Sequence, residues 1–360
     1  MMPRINELLT LLKERKGSDL HLASGLAPRM RERGELAVIE GWEVFDDAAM
    51  RQLIHPIASP EQWADFEREG DLDFAYAIPG VARFRANFFV QENGAGAVLR
   101  IIPEDILTVD DLGLPDAVRR LADAKRGLVL MTGPTGSGKS TTLAALIDSI
   151  NKNKTRHIVT IEDPVEFVHR NQQSVVSHRE VGAHTGSFSA ALRAAIRQDA
   201  DVVLVGEMRD KETIELALTA AEMGLLVFGT LHTNGAAKTV DRIVDAFPAD
   251  DQDMVRLSLS ESITGIVSQL LLPTADGKGR CAVHEILLRT SGLANVIREG
   301  NTPMLHSIIQ SGKNVGMQNM DDTLFALAKA GTIKGIDAYR AAREKPRFEP
   351  LLDKGALAAA

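Results

Sequence analysis

The segment Gly127-Leu128-Val129-Leu130-Met131-Thr132 runs directly into Gly133-Pro134-Thr135-Gly136-Ser137-Gly138-Lys139-Ser140-Thr141, and a helix-forming stretch, Leu143 to Ile150, follows. An apolar strand, a G-x-x-x-x-G-K-S turn and a helix in this order leave few folds open, because each part requires its own residue type. The glycines let backbone N–H groups turn inward around phosphate oxygens, Lys139 supplies a point charge, and the Ser140 hydroxyl suits a Mg²⁺ ion. The flanking strand and helix make nucleotide binding a stronger reading than a surface turn.

The pattern on either side of this segment differs. Ile5, Leu8, Leu9 and Leu12 share one helix face, so the spacing predicts a helix over Ile5 to Arg15. Alternation predicts strands at 18–22 and 98–102, a hairpin over 30–39 turning at Arg33-Gly34, and a strand pair, 73–78 and 82–90, around Pro79-Gly80. These compose a small α+β domain over 1–102. Residues 103–115 break both periodicities and read as a linker. Beyond it, strands expected at 128–131, 158–161, 202–205, 226–229 and 282–287 alternate with helices at 141–151, 189–197 and 212–223. The fold class expected of 116–290 is therefore α/β, a mainly parallel sheet with helices on both faces and ligands beyond the carboxyl ends of its strands. Helical segments dominate 291–350, and 351–360 reads as a frayed, alanine-rich tail.

Three of the expected strands end in polar groups. Val202 to Val205 leads to Gly206-Glu207, which places Glu207 where a carboxylate reaches Mg²⁺ and its water. His157 to Ile161 leads to Glu162-Asp163-Pro164-Val165-Glu166, three carboxylates whose mutual repulsion a metal offsets, and one of them is a candidate to orient or deprotonate water. A third strand ends in Gly229-Thr230-Leu231-His232-Thr233, where His232 is a candidate γ-phosphate sensor. Cations for the transferred phosphoryl group are sought in Arg83, Arg85 and Arg100 of the first domain, with Arg83 and Arg85 on one strand face.

Charge and cysteine usage narrow the partners. A formal net charge of -8 argues against a broad basic surface for nucleic acid. The single cysteine, Cys281, leaves no intramolecular disulfide framework and no multi-cysteine zinc site. No signal-peptide core opens the chain and no apolar run approaches the length of a membrane span, so the expected location is the cytoplasm.

With these residues in place, the chain resembles the type IV pilus retraction ATPases of the secretion ATPase superfamily from about Leu8 to Ala342. The likeness is carried by Ser18-Asp19-Leu20-His21-Leu22, Arg83-Phe84-Arg85, Gly94-Ala95-Gly96-Ala97, the glycine-rich turn, Thr160-Ile161-Glu162-Asp163-Pro164-Val165-Glu166-Phe167 and Val205-Gly206-Glu207-Met208-Arg209-Asp210. It continues in Phe228 to Thr233, Asp241-Arg242-Ile243 and Gly316-Met317-Gln318. The resemblance implies a PAS-like N-terminal domain, a RecA-like P-loop ATPase domain and a helical C-terminal subdomain, assembled as a homohexamer with ATP and Mg²⁺ at its clefts. It implies a motor docked on an inner-membrane pilus platform protein. By the same resemblance Glu207 is the Walker B glutamate, and Glu162, Asp163 and Glu166 form an acidic box, with Glu166 the first candidate for general base and Glu162 the second. Ser140, Glu207 and Asp163 fall to the metal, His232 to the histidine box, and Arg85, Arg100, Arg197 and Arg209 to the phosphates. The lone cysteine separates the chain from extension and type II secretion ATPases, which usually carry a tetracysteine zinc module. Two positions depart from the retraction pattern: Leu225, where a histidine is usual, and Ala294, where an arginine is usual. An accessory retraction paralogue, working with or beside another motor, and a weakly hydrolysing regulatory subunit stay open on these grounds.

Overall fold

The computed structural model describes residues 3–32, 34–102 and 105–352. The chain forms two compact units, residues 1–106 together with Asp163–Val168, and residues 107–162 together with 169–360.

In the first unit six strands, β1 (Asp19–Ala23), β2 (Arg29–Glu32), β3 (Glu35–Val38), β4 (Asp71–Ile78), β5 (Ala82–Gln91) and β6 (Gly94–Ile102), pair antiparallel in the order β3-β2-β1-β6-β5-β4. Alternation decides what each face carries: Phe84, Ala86 and Phe88 of β5 enter the core, so Arg83 and Arg85 share the opposite face. The helix Ile5–Glu14 buries Ile5, Leu8, Leu9 and Leu12, the stripe its spacing predicts. Two further helices, Asp47–Ile54 and Pro60–Glu69, were not expected from the sequence; the first buries Met50, Leu53 and Ile54 on one face, while Ser59 and Gln62 form a capping box that starts the second and Gly70 at φ 79° ends it. Position 33 of the expected hairpin turn, and 103–104 of the expected linker, lie outside the described residues.

The second unit holds β7 (Gly127–Thr132), β8 (His157–Glu162), β9 (Val175–Glu180), β10 (Val202–Val205), β11 (Leu226–Leu231), β12 (Ile263–Pro273) and β13 (Arg280–Leu288), in the order β13-β12-β7-β11-β10-β8-β9. Neighbours run parallel except β12 and β13. Both faces of β7 are covered. Leu128 and Leu130 pack with Ile214, Ala217 and Leu259, whereas Val129 and Met131 pack with Leu143, Leu146 and Ile147. That is why the strand reads as one apolar run. β9 and β12 were not expected from the sequence: Thr264, Gly265, Ser268 and Gln269 break the apolar run of β12, and β9 is mostly polar. The 282–287 segment is a strand, but it lies antiparallel at the edge.

The helices after β13 divide between two cores. Leu293, Val296, Ile297, Leu305 and Ile309 join the main one, while Met320, Leu324, Ile333, Ala338, Ala342 and Phe348 pack with Val283 in a smaller one. A 3₁₀ turn, Glu349–Leu351, follows, and residues 353–360 of the expected tail lie outside the described residues.

Candidate functional site

The glycine-rich turn lies at the carboxyl end of β7, beside β11 and β12. Gly133, Gly136 and Gly138 have φ of 142°, 78° and 84°, conformations that side chains rarely adopt. Gly138 also begins the helix Lys139–Asn153, which has no side-chain cap at its start, so first-turn N–H groups face the turn. Lys139 is 8% exposed, and its Nζ donates to the carbonyls of Gly133 and Pro134 at 2.9 and 3.0 Å. The lysine thus spans the loop from within. Pro134, Thr135 and Gly136 are exposed at the rim, Ser137 is buried, and Ser140 and Thr141 are half-buried in the first helical turn.

Next to the turn, the exits of β10 and β11 converge. Gly206 donates its N–H to Ile161 at 2.8 Å, Met208 donates to Thr230 at 3.0 Å, and the Thr230 hydroxyl donates to Gly206 at 2.5 Å. These bonds tie the segment carrying Glu207 to strands on both sides. The Glu207 carboxylate is 3.1 Å from His232 Nε2 and is also bound by Arg209. Glu207, His232 and Arg209 therefore form one cluster, as residues from two neighbouring strands can. Arg197 lies exposed in the turn after the helix Phe188–Ala195.

The acidic box is divided. Glu162 is the last residue of β8 and is buried, whereas Asp163 to Val168 belong to the first unit. There, Arg85 binds Asp73, with its Nε 3.1 Å from Oδ2; this hydrogen bond raises the guanidinium pKa, and the charges of Glu166 and Asp163 add to it. Arg100 Nε donates to Asp19 at 2.7 Å. Burial opposes ionisation of Asp19, but the Ser18 hydroxyl and Arg100 outweigh it and hold the carboxyl below its ordinary range.

Leu225 is placed far from phosphate chemistry. Its carbonyl accepts from Gly127 N–H at 2.9 Å, at the end of β7 and β11 opposite the glycine-rich turn. Ala294 lies half-buried on the helix Ser291–Arg298. Cys281 is a half-buried strand residue whose thiol pKa burial raises. Among the described residues no group of three or more His, Cys, Asp or Glu side chains forms a preformed metal site, and no helix is long and apolar enough to cross a membrane.

Sequence reasoning missed Gln269 of β12. It is 2% exposed and bridges Ser137, Thr142 and His284. A polar residue interrupting an apolar strand was its only signal.

Comparison with known proteins places the chain in a family. The type II/IV secretion system protein family matches residues 69–333. The chain is 50% identical to the type IV pilus retraction ATPase PilT of Pseudomonas aeruginosa over 96% of its own length and 98% of that protein. It is 41% identical to the type IV pilus ATPase PilU of the same organism, over 92% and 87% of the two chains. A crystal structure of the pilus retraction motor PilT with bound ADP superposes with a TM-score of 0.89 at 44% identity, covering 96% of this chain and 99% of that one. The fold thus has a solved counterpart over 96% of the chain, and the protein belongs to the type II/IV secretion ATPases, in the pilus-retraction ATPase family.

Proposed function

We propose that the protein is a Mg²⁺-dependent ATP hydrolase that works as a homohexameric cytoplasmic motor, docked on an inner-membrane pilus platform protein, and drives retraction of type IV pili. The observation that carries the reading is the 50% identity to PilT across 98% of that protein, compared with 41% to PilU. The cradle supports it from the chemical side. Gly133 to Thr141 would hold the β- and γ-phosphates, with Lys139 exchanging loop carbonyls for phosphate oxygens. Ser140 and Glu207 are oxygen ligands suited to an ion that arrives with the nucleotide, because Mg²⁺ is ordinarily held by one or two protein groups plus phosphates and water. The ion would offset charge on the phosphate oxygens. Glu207 would then orient water, His232 would report the γ-phosphate through its contact with Glu207, and Glu166 is the first candidate for general base, with Glu162 second and Asp163 nearer the metal. Arg85 and Arg100 are assigned to phosphate charge, with Arg197 and Arg209 in supporting places.

Two measurements test this. Lys139→Ala and Glu207→Gln abolish steady-state phosphate release while keeping the wild-type circular dichroism spectrum; wild-type turnover in either variant refutes the site. Deletion of the gene in its host gives hyperpiliated cells that do not twitch. Unchanged twitching after deletion favours the accessory paralogue, for which Ala294 is the motivating departure.

A further inference from the structure

We infer that Gln269, braced by His284 and Thr142, sets the shape of the phosphate cradle and is a positioning residue for nucleotide binding; this rests on the glycine-rich turn being where the nucleotide sits. β12 runs parallel to β7 with Ser268 level with Thr132, so Gln269 stands beside the start of the turn. Its Nε2 is 2.6 Å from the Ser137 carbonyl, and its Oε1 is 2.9 Å from Thr142 Oγ1 and 3.0 Å from His284 Nε2. A carbonyl oxygen only accepts, so the group facing Ser137 is the amide NH₂ and the group facing Thr142 and His284 is the amide oxygen. Both partners therefore donate, and His284 carries its proton on Nε2. Burial holds the His284 pKa at about 4, which keeps that single-proton form at neutral pH.

The consequence for the cradle follows from peptide geometry. In a trans peptide the C=O and the next N–H point in opposite directions. Pinning the Ser137 carbonyl toward β12 turns the Gly138 N–H away from β12. The same residue accounts for both glycines of the pattern: a Cβ at Gly133 would lie 2.2 Å from the Gln269 carbonyl oxygen, and one at Gly138 would lie 2.9 Å from its Nε2. Gly138 makes room for the amide brace, and Gly133 for the backbone of β12 that carries it.

Because the cradle holds substrate and transition-state phosphates alike, loosening it weakens binding more than turnover at saturation. Gln269→Met keeps the length and removes the donor, leaving the Ser137 carbonyl unpaired. With full-length protein, the expected result is a roughly tenfold rise in KM for ATP and in Kd for ADP, with kcat within about twofold. Thr142→Val removes one of two donors to Oε1 and raises both constants about threefold. Unchanged KM and Kd in Gln269→Met, or a fall in kcat at constant KM, overturns the inference. If Gln269→Met does not fold, Thr142→Val decides by the same criterion. Lys139→Ala separates the two levels: if it still binds ADP as wild type, the turn is not the nucleotide site, whereas lost binding there beside wild-type constants in Gln269→Met refutes only the brace.

Discussion

Replacing Gly133 by alanine tests whether the turn is shaped by its protein surroundings. At φ 142° an added Cβ would sit 2.2 Å from the Gln269 carbonyl oxygen and 2.8 Å from Ser137 Oγ. Carbon reaches its optimal contact only beyond about 3.5 Å, so the overlap exceeds 1 Å against backbone that cannot rotate away. Backbone strain in a glycine-only region contributes about 1–3 kcal/mol, and overpacking a further 1–3 kcal/mol, so the cost is about 4 kcal/mol at the centre of the range. Gly136 is the control. An added Cβ there meets no protein atom within 4 Å, so only the left-handed φ of 78° is charged, about 1–2 kcal/mol. Urea unfolding without nucleotide should therefore show Gly133→Ala less stable than Gly136→Ala by roughly 2–3 kcal/mol. Relief by moving the turn away from β12 would lower ADP affinity of Gly133→Ala by about a hundredfold. Equal stability of the two variants refutes the steric argument, and wild-type ADP affinity in a destabilised Gly133→Ala refutes the link from loop shape to binding.

Two other outcomes follow from burial and placement. His169 and His284 are both pushed down to about 4, chiefly by burial, so the unfolded chain takes up protons first as pH falls below about 6.5. Stability is thus full above that value and falls between about 6.5 and 4; at pH 5.5 the loss from the pair is roughly 2–3 kcal/mol relative to pH 7.5, and an unchanged urea midpoint would contradict it. Leu225→His introduces the histidine that the resemblance leads one to expect, at a position about 23 Å along β11 from His232, taking about 3.3 Å per residue. Its kcat/KM for ATP stays within about twofold of wild type, and a severalfold gain would show that the position acts on catalysis.

What could be read from the chain alone was local. The glycine spacing, Lys139 and Ser140 are contiguous, and the helix and strand periods of Ile5 to Leu12 and of Arg83 to Phe88 are set by neighbours within a few residues. Apolar strands buried on both faces announce a parallel sheet in the same way. The convergence of side chains was not local. Glu207 and His232 are 25 positions apart, and they meet because β10 and β11 are adjacent, which depends on strand order. The division of the acidic box after Glu162 depends on which unit receives Asp163 to Val168, although five consecutive residues gave no sign of it. Leu225 looked like a departure within the histidine box, and strand direction moved it to the far end of the sheet. Gln269 had no motif at all: its meaning comes from β12 lying against β7, more than 130 residues away in sequence, where burial removes water and the Gln269 amide satisfies the Ser137 carbonyl, Thr142 and His284. Composition and period specify which elements form and which face each buries, while the contacts that shape the site arise only when distant elements are packed side by side and their polar groups must find partners there.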